Sequence, residues 1–271
     1  MHGSTHLTLP ARQPPCLPML QRPKAPAARS GVSLQGVTLV RGTTTVFDAL
    51  SLQLDEPRIG LIGDNGAGKS SLFRLICGLD APRHGRVLVG GADVQGPHDA
   101  RAVGLMFQNP DEQIIFPTVE EELALSLEAP GRSRRDCRAE ARRWLEGRGL
   151  GHWAGRAIGS LSQGQRQQVC WLALLIAAPR VLLLDEPYAS LDLPRQVLLN
   201  REIARVAPQV IVSTHLLDHV RDFERVLWLD QGQVRADGPG PTVCAAYEAD
   251  IAARLASGLL ARAAADLPEP A

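Results

Sequence analysis

The chain has 271 residues, and its 29 basic and 29 acidic side chains cancel. That length suits one large domain or two small ones and is enough to bury a substantial core. With zero formal charge, no global field draws the protein to nucleic acid or to an acidic membrane. Five cysteines, Cys16, Cys77, Cys137, Cys170 and Cys244, stand singly with no C-x-x-C pair. Isolated thiols fit a reducing cytoplasm and give no disulfide framework. The longest apolar run, Val169 to Ala178, is cut by Pro179 and reads as a buried helix, too short for a membrane span.

Residues 1–30 hold no acidic residue and are broken by Pro10, Pro14, Pro15, Pro18, Pro23 and Pro26. The prolines oppose the amphipathic helix of an organelle-targeting peptide, and the apolar core of a secretory signal is missing. The expectation is a disordered basic segment, with Met19 as an alternative start. From Val32 to Leu54 the pattern is strand-like, with Leu50, Leu52 and Leu54 alternating with polar residues and Gly42 marking a turn.

Arg58-Ile59-Gly60-Leu61-Ile62 predicts a strand, and Ser71 to Ile76 a helix. Between them stands Gly63-Asp64-Asn65-Gly66-Ala67-Gly68-Lys69-Ser70, which fits G-x-x-x-x-G-K-[ST]. Strand, glycine-rich loop and helix together are the setting that a phosphate-binding loop requires. The glycines allow successive backbone N–H groups to turn inward around phosphate oxygens, and the following helix points its positive end at them. Lys69 is positioned in sequence to reach the outer phosphates, and Ser70 to hold Mg²⁺ through its hydroxyl.

Downstream, Arg86–Val89 and Ala102–Phe107 predict further strands, and Gln108 stands at the end of the second. Thr118 and Glu121 have capping-box spacing before a helix expected to run through Glu128, and Ser133 opens another. Residues 110–160 therefore look like a helical insertion. Ser162 and Gln165 have the same capping-box spacing before a helix closed by Pro179. Val181-Leu182-Leu183-Leu184 is a continuous apolar strand of the kind buried in a parallel sheet, and it ends in Asp185-Glu186. Pro194 suits a helix start. Val210–Ser213 predicts a strand ending in Thr214-His215, and residues 226–235 a hairpin around Gln231-Gly232. An alanine-rich helical tail runs from Thr242 and frays at Pro268.

Strands alternating with helices argue an α/β fold: a parallel sheet with helices on both faces, whose functional residues gather at the strands' carboxyl ends. Gly63, Gln108, Asp185, Glu186 and His215 all fall at such ends. Asp185 suits Mg²⁺, Glu186 the orientation or deprotonation of an attacking water, Gln108 the sensing of metal and water, and His215 a γ-phosphate contact. Taken alone, a loop glutamine or a strand-end histidine is more often structural. The phosphate loop is what gives these two weight.

The motifs Gly63–Ser70, Gln108, Leu161-Ser162-Gln163-Gly164-Gln165, Leu182-Leu183-Leu184-Asp185-Glu186-Pro187, Ser190-Leu191-Asp192 and His215 occur in one order. From about Val32 to Gly238 the chain resembles the nucleotide-binding subunit of an ATP-binding-cassette (ABC) transporter. The resemblance implies a P-loop NTPase core with a mixed, mostly parallel sheet, an antiparallel β subdomain and an α-helical subdomain near residues 110–178. Residues 31–243 would form the ATPase domain and residues 244–271 a helical tail. ATP and Mg²⁺ are the implied cofactors, with Ser71 joining the loop residues at the nucleotide and Ser70, Gln108 and Asp185 at the metal.

The resemblance further implies a dimer, with itself or a paralogue, in which Ser162, Gly164 and Gln165 of one subunit close over the other's ATP and Asp192 crosses the interface. Phe107-Gln108-Asn109-Pro110-Asp111 and Pro117-Thr118-Val119-Glu120-Glu121 are similar to energy-coupling-factor ATPases, which import vitamins or cobalt and nickel ions. Glu56–Gly63 looks like the biotin-transporter branch. The partners implied are a transmembrane coupling protein and a substrate-binding membrane subunit, with the ATPase peripheral on the cytoplasmic face.

Glu120, Glu121 and Glu122 read either as a solvated helix start or as an acidic groove for a partner arginine. One departure from the pattern concerns the base: no aromatic stands near Val40, so the adenine contact is expected to be apolar, or to come from the Arg41 guanidinium or from Phe47. The competing reading, a soluble ABC ATPase acting on DNA or ribosomes, lacks the long coiled coil, second cassette or basic footprint such proteins carry.

Overall fold

The computed structural model describes residues 31–96 and 102–258. The expectations for residues 1–30 and for Pro268 lie outside them.

Two sheets divide the strands. β1 (Val32–Arg41), β2 (Thr44–Leu54), β4 (His84–Val89) and β5 (Ala92–Asp93) form an antiparallel sheet in the order β2-β1-β4-β5. The second sheet has the order β10-β9-β3-β8-β7-β6, with β3 at Arg58–Ile62, β6 at Val103–Met106, β7 at Val181–Asp185, β8 at Gln209–Ser213, β9 at Arg225–Asp230 and β10 at Gln233–Gly238. Its neighbours are parallel except β10, which returns antiparallel along β9. Central strands must be apolar on both faces, and the first four residues of β7 and all five of β8 are buried.

The helices are α1 (Lys69–Ile76), α2 (Val119–Leu125), α3 (Arg134–Glu146), α4 (Gln163–Ala177), α5 (Leu193–Arg205) and α6 (Gly240–Ala256). One apolar cluster joins the antiparallel sheet, α1 and one face of the parallel sheet. A second lies on the opposite face, against α4, α5 and α6. A third belongs to the helical subdomain, where Val119, Leu123, Ala141 and Leu145 meet Val169, Leu172 and Ile176 of α4. From Val169 on, α4 is apolar nearly all round because it is buried on two sides, which is why that run reads as continuous.

Three expectations change. Helix α2 stops at Leu125, short of Glu128. Thr118 makes no capping bond to the backbone; its hydroxyl donates to the Glu121 carboxylate at 2.6 Å. The expected boundary at 243/244 falls inside α6, whose Val243 and Cys244 are buried in the second cluster. By contrast, Ser133 and Ser162 cap their helices through side-chain oxygens as the sequence pattern predicts.

Candidate functional site

Strand β3 delivers the chain to Gly63, and the loop to Gly68 turns it into α1. Gly63 has φ 138° and Gly68 has φ 109°. A Cβ on Gly63 would sit 2.1 Å from the Leu229 carbonyl oxygen, so only glycine permits this approach of loop to sheet. Within the loop the Ala67 N–H donates to Asp64 O, and the Leu72 N–H to Gly68 O begins the helix. The Lys69 ammonium donates to the carbonyls of Gly63 at 2.6 Å and Asp64 at 3.0 Å, so it lies along the loop. Burial draws the Lys69 ammonium below its ordinary range, opposed by the charges of Glu186, Asp185 and Asp64. Gly66 and Asn65 are exposed at the loop's tip, Ala67 is buried beneath it, and Ser71 follows on α1.

The Ser70 hydroxyl donates to Asp185 at 2.8 Å, across 115 residues of sequence. Parallel pairing of β7 with β8 sets Asp185 beside Ser213. Glu186 then leaves the strand with φ 47°, a left-handed conformation that is uncommon for any residue with a Cβ. Its backbone N–H donates to Ser213 O at 2.9 Å. One carboxylate oxygen accepts from the Thr214 hydroxyl at 3.3 Å and the His215 N–H at 3.4 Å, and His215 Nδ1 lies 2.9 Å from the same oxygen. Glu186 is buried while His215 is exposed. Gln108 stands two residues past the end of β6, the strand that pairs with β7.

The remaining residues singled out by the sequence lie elsewhere. Ser162 and Gln165 form a reciprocal capping box at the start of α4, with Gly164 between them. Gln163 donates to Ser190 at 2.9 Å, and Asp192 caps α5 by accepting from the Arg195 N–H at 3.1 Å. Among the described residues, no hydrogen bond or ion pair joins Ser162, Gly164, Gln165 or Asp192 to the phosphate loop.

Sequence reasoning missed the groups that fix the loop after Glu186. Tyr188 is fully buried, stacks on His219 with ring centroids 3.8 Å apart and donates to Asn200 at 2.5 Å. Asn200 and Gln196 engage the two ring nitrogens of His219, and Gln196 also donates to Leu191 O. A tyrosine after Glu-Pro gave the only local signal. Also missed were Tyr247 and Arg254 on α6, both bound to Asp64.

Two expectations for the base and the acidic run are revised. Phe47 is fully buried, and its ring lies 3.0 Å from where a Cβ on Gly68 would be, so it supports the loop from below. Arg41 is paired with Asp80. Glu122 is turned inward and accepts the N–H groups of Ile115 and Phe116, while Glu120 and Glu121 pair with Arg142 and Arg138. Each acid of the run has its partner within the helical subdomain.

Residues 47–189, from the antiparallel sheet through the loop after Glu186, match the family model described as ABC transporter. The chain belongs to the ABC transporter family. It is an ATP-binding ATPase of the cassette fold. A relative from Rhodobacter capsulatus, named biotin transport ATP-binding protein BioM, is 44% identical over 229 residues, covering 84% of this chain and 98% of that one. The structure of cbiO1 from Clostridium perfringens, described as part of the transporter complex cbiONQ, superposes with a TM-score of 0.67 at 24% identity, over 83% of this chain and 94% of that one. The cassette MJ0796, solved as a dimer in a post-hydrolysis state with ADP and phosphate, gives 0.64 at 24% identity, over 77% and 98%. At that identity the two cassette structures speak for the fold. No helix among the described residues is long and apolar enough to cross a membrane.

Proposed function

We propose that this ABC ATPase powers an energy-coupling-factor importer and that its cargo is biotin. The observation that carries the cargo is the 44% identity to BioM across nearly all of that protein. The chain docks from the cytoplasmic face on a transmembrane coupling protein, which pairs with a membrane subunit that binds the solute.

The hydrolytic chemistry follows from the strand ends. The loop N–H groups and Lys69 hold the ATP phosphates, with the positive end of α1 behind them. Ser70 and Asp185, whose oxygens meet at 2.8 Å, are hard donors of few charges, a set that suits Mg²⁺ held jointly with substrate phosphates. Bound there, the ion neutralises charge on the phosphoryl oxygens. Glu186 orients the attacking water and accepts its proton, and His215 holds both that carboxylate and the γ-phosphate. Gln108, two residues past β6, would sense the same metal and water.

Two copies meet head to tail, so that Ser162, Gly164 and Gln165 at the N-terminus of α4 close over the partner's γ-phosphate. The exposure of Ser162 at that helix end supports this arrangement. Asp192 then lies at the junction between subunits. No feature of the site favours a role on nucleic acid.

The test is transport. Cells expressing the chain with its two membrane partners should accumulate labelled biotin, and Lys69→Ala should abolish accumulation. Uptake that survives Lys69→Ala sinks the energising role, and a purified complex that carries cobalt or nickel in place of biotin reassigns the cargo.

A further inference from the structure

Helix α6 closes a ring of contacts on the phosphate loop. The Tyr247 hydroxyl donates to Asp64 Oδ1 at 2.6 Å, and Arg254 Nη1 donates to Asp64 Oδ2 at 2.5 Å. Arg254 Nε lies 2.8 Å from Asp250, one turn earlier on the same helix. Asp250 in turn accepts from Arg235 of β10 at 2.7 Å. The Arg235 guanidinium lies 4.4 Å over the ring of Trp228, and Trp228 meets the Tyr247 ring edge-on at 5.2 Å. The circuit therefore returns to Asp64 through six side chains on four elements. Trp228 is also the residue that pairs with Ile62, the last residue of β3 before the loop.

Asp64 is the second residue of the loop, and a carboxylate there opposes the polyphosphate that the loop binds. Its charge also reaches Lys69, for each shifts the other. A neutral residue at position 64 would remove the repulsion but also the handle by which α6 holds the loop. The bidentate guanidinium supplies both a geometric clamp and a cancelling charge. The first turn of α6 is anchored in the core by Val243 and Cys244, and Arg221 pairs with Glu248 at its middle, so the clamp sits on a fixed element.

We propose that Tyr247 and Arg254 are positioning residues for ATP binding: they draw Asp64 back and neutralise it, so that the loop N–H groups stay aimed at the phosphates. The inference rests on the reading of Gly63–Ser70 as the phosphate site. It gives the C-terminal helix a part in nucleotide affinity without contact to the nucleotide.

The experiment measures KM for ATP, kcat and Tm on the full chain in its membrane complex. Arg254→Gln should raise KM about tenfold, with kcat at saturating ATP unchanged within about twofold. Adding Asp64→Asn to Arg254→Gln should bring KM most of the way back, because the unpaired carboxylate is then gone. Tyr247→Phe keeps the ring and removes only the hydroxyl donor, and should raise KM about threefold. A fall in Tm with KM unchanged in Arg254→Gln and Tyr247→Phe would make α6 a strut and overturn the proposal. If Arg254→Gln fails to fold, Tyr247→Phe decides alone: a wild-type KM in that variant overturns the proposal. Lys69→Ala separates the underlying reading, since undiminished ATP affinity there would remove the phosphate site itself.

Discussion

At the scale of single residues, Glu186 combines three unusual conditions. It sits at a strand end, it is buried, and its backbone is left-handed at φ 47°. A strained conformation costs on the order of 1–3 kcal/mol and persists where neighbours over-determine it. Here the Ser213 carbonyl holds its N–H, while Thr214 and His215 hold its carboxylate. The Gln side chain has the same shape and can keep most of these contacts, but it does not accept a proton from water. Glu186→Gln should therefore retain ATP binding and reduce kcat by roughly 100-fold or more, measured as single-turnover phosphate release. Turnover at the wild-type rate would show that another group serves as the base.

At the scale of elements, α6 is tied to the body by a titratable contact. Hydrogen bonding to Arg254 is the largest cause holding the Asp64 carboxyl below its usual range, with Tyr247 and the Lys69 charge adding to it. A carboxyl whose folded-state pKa is depressed stabilises the fold above its unfolded value, about 4, and loses that contribution as pH falls through the lower folded value. Wild type should thus exceed Asp64→Asn in stability at neutral pH, and the difference should vanish in acid. Urea melts of both proteins from pH 7 down to about pH 3 check this. A gap that persists undiminished at the acid end would show that the carboxylate charge is not what docks the helix.

At the scale of the whole molecule, the apolar clusters enclose the thiols. Cys77, Cys137, Cys170 and Cys244 are all buried. Burial pushes the Cys77 and Cys170 thiols up to about 12, with the Arg74 charge partly opposing the shift at Cys77. Reaction with a thiol reagent at pH 8 requires the thiolate, so in a Cys16→Ser variant labelling should follow global unfolding and accelerate in step with denaturant. Because the folded state keeps protons that the unfolded chain releases above about pH 8.5, these groups also make stability fall as pH rises past that point. Rapid labelling of the folded Cys16→Ser protein would mean that the clusters open far below the global unfolding energy.

Much of this molecule was legible in the sequence because local patterns carried long-range information. The loop Gly63–Ser70 declares itself through glycine spacing, since no other residue tolerates φ 138° against the Leu229 carbonyl. The apolar run ending in Asp185-Glu186 announces a strand covered on both faces with its chemistry at the tip. Hydrophobic period and capping spacing sufficed for α3 and α4, where the Ser133 and Ser162 hydroxyl oxygens accept from the backbone N–H three residues on. At α2 they located the helix start after Thr118 but not its cap bond or its end at Leu125.

What only the tertiary structure decided is which side chains meet. Ser70 reaches Asp185 because α1 begins beside the end of β7, a consequence of strand order that no window of sequence contains. Phe47 looked available for a base until the packing of β2 under the loop buried it, and the acidic run at Glu120–Glu122 looked free until Arg138 and Arg142 came round on α3. The tail of the chain read as a mere alanine-rich helix, and folding placed its Tyr247 and Arg254 on Asp64. Backbone conformation and hydrophobic period are set largely by neighbours in sequence, which is why the glycine-rich loop and the strands could be read directly. The partners of a charged side chain are set by the three-dimensional path of other elements, and for this protein they determined how the phosphate loop is held.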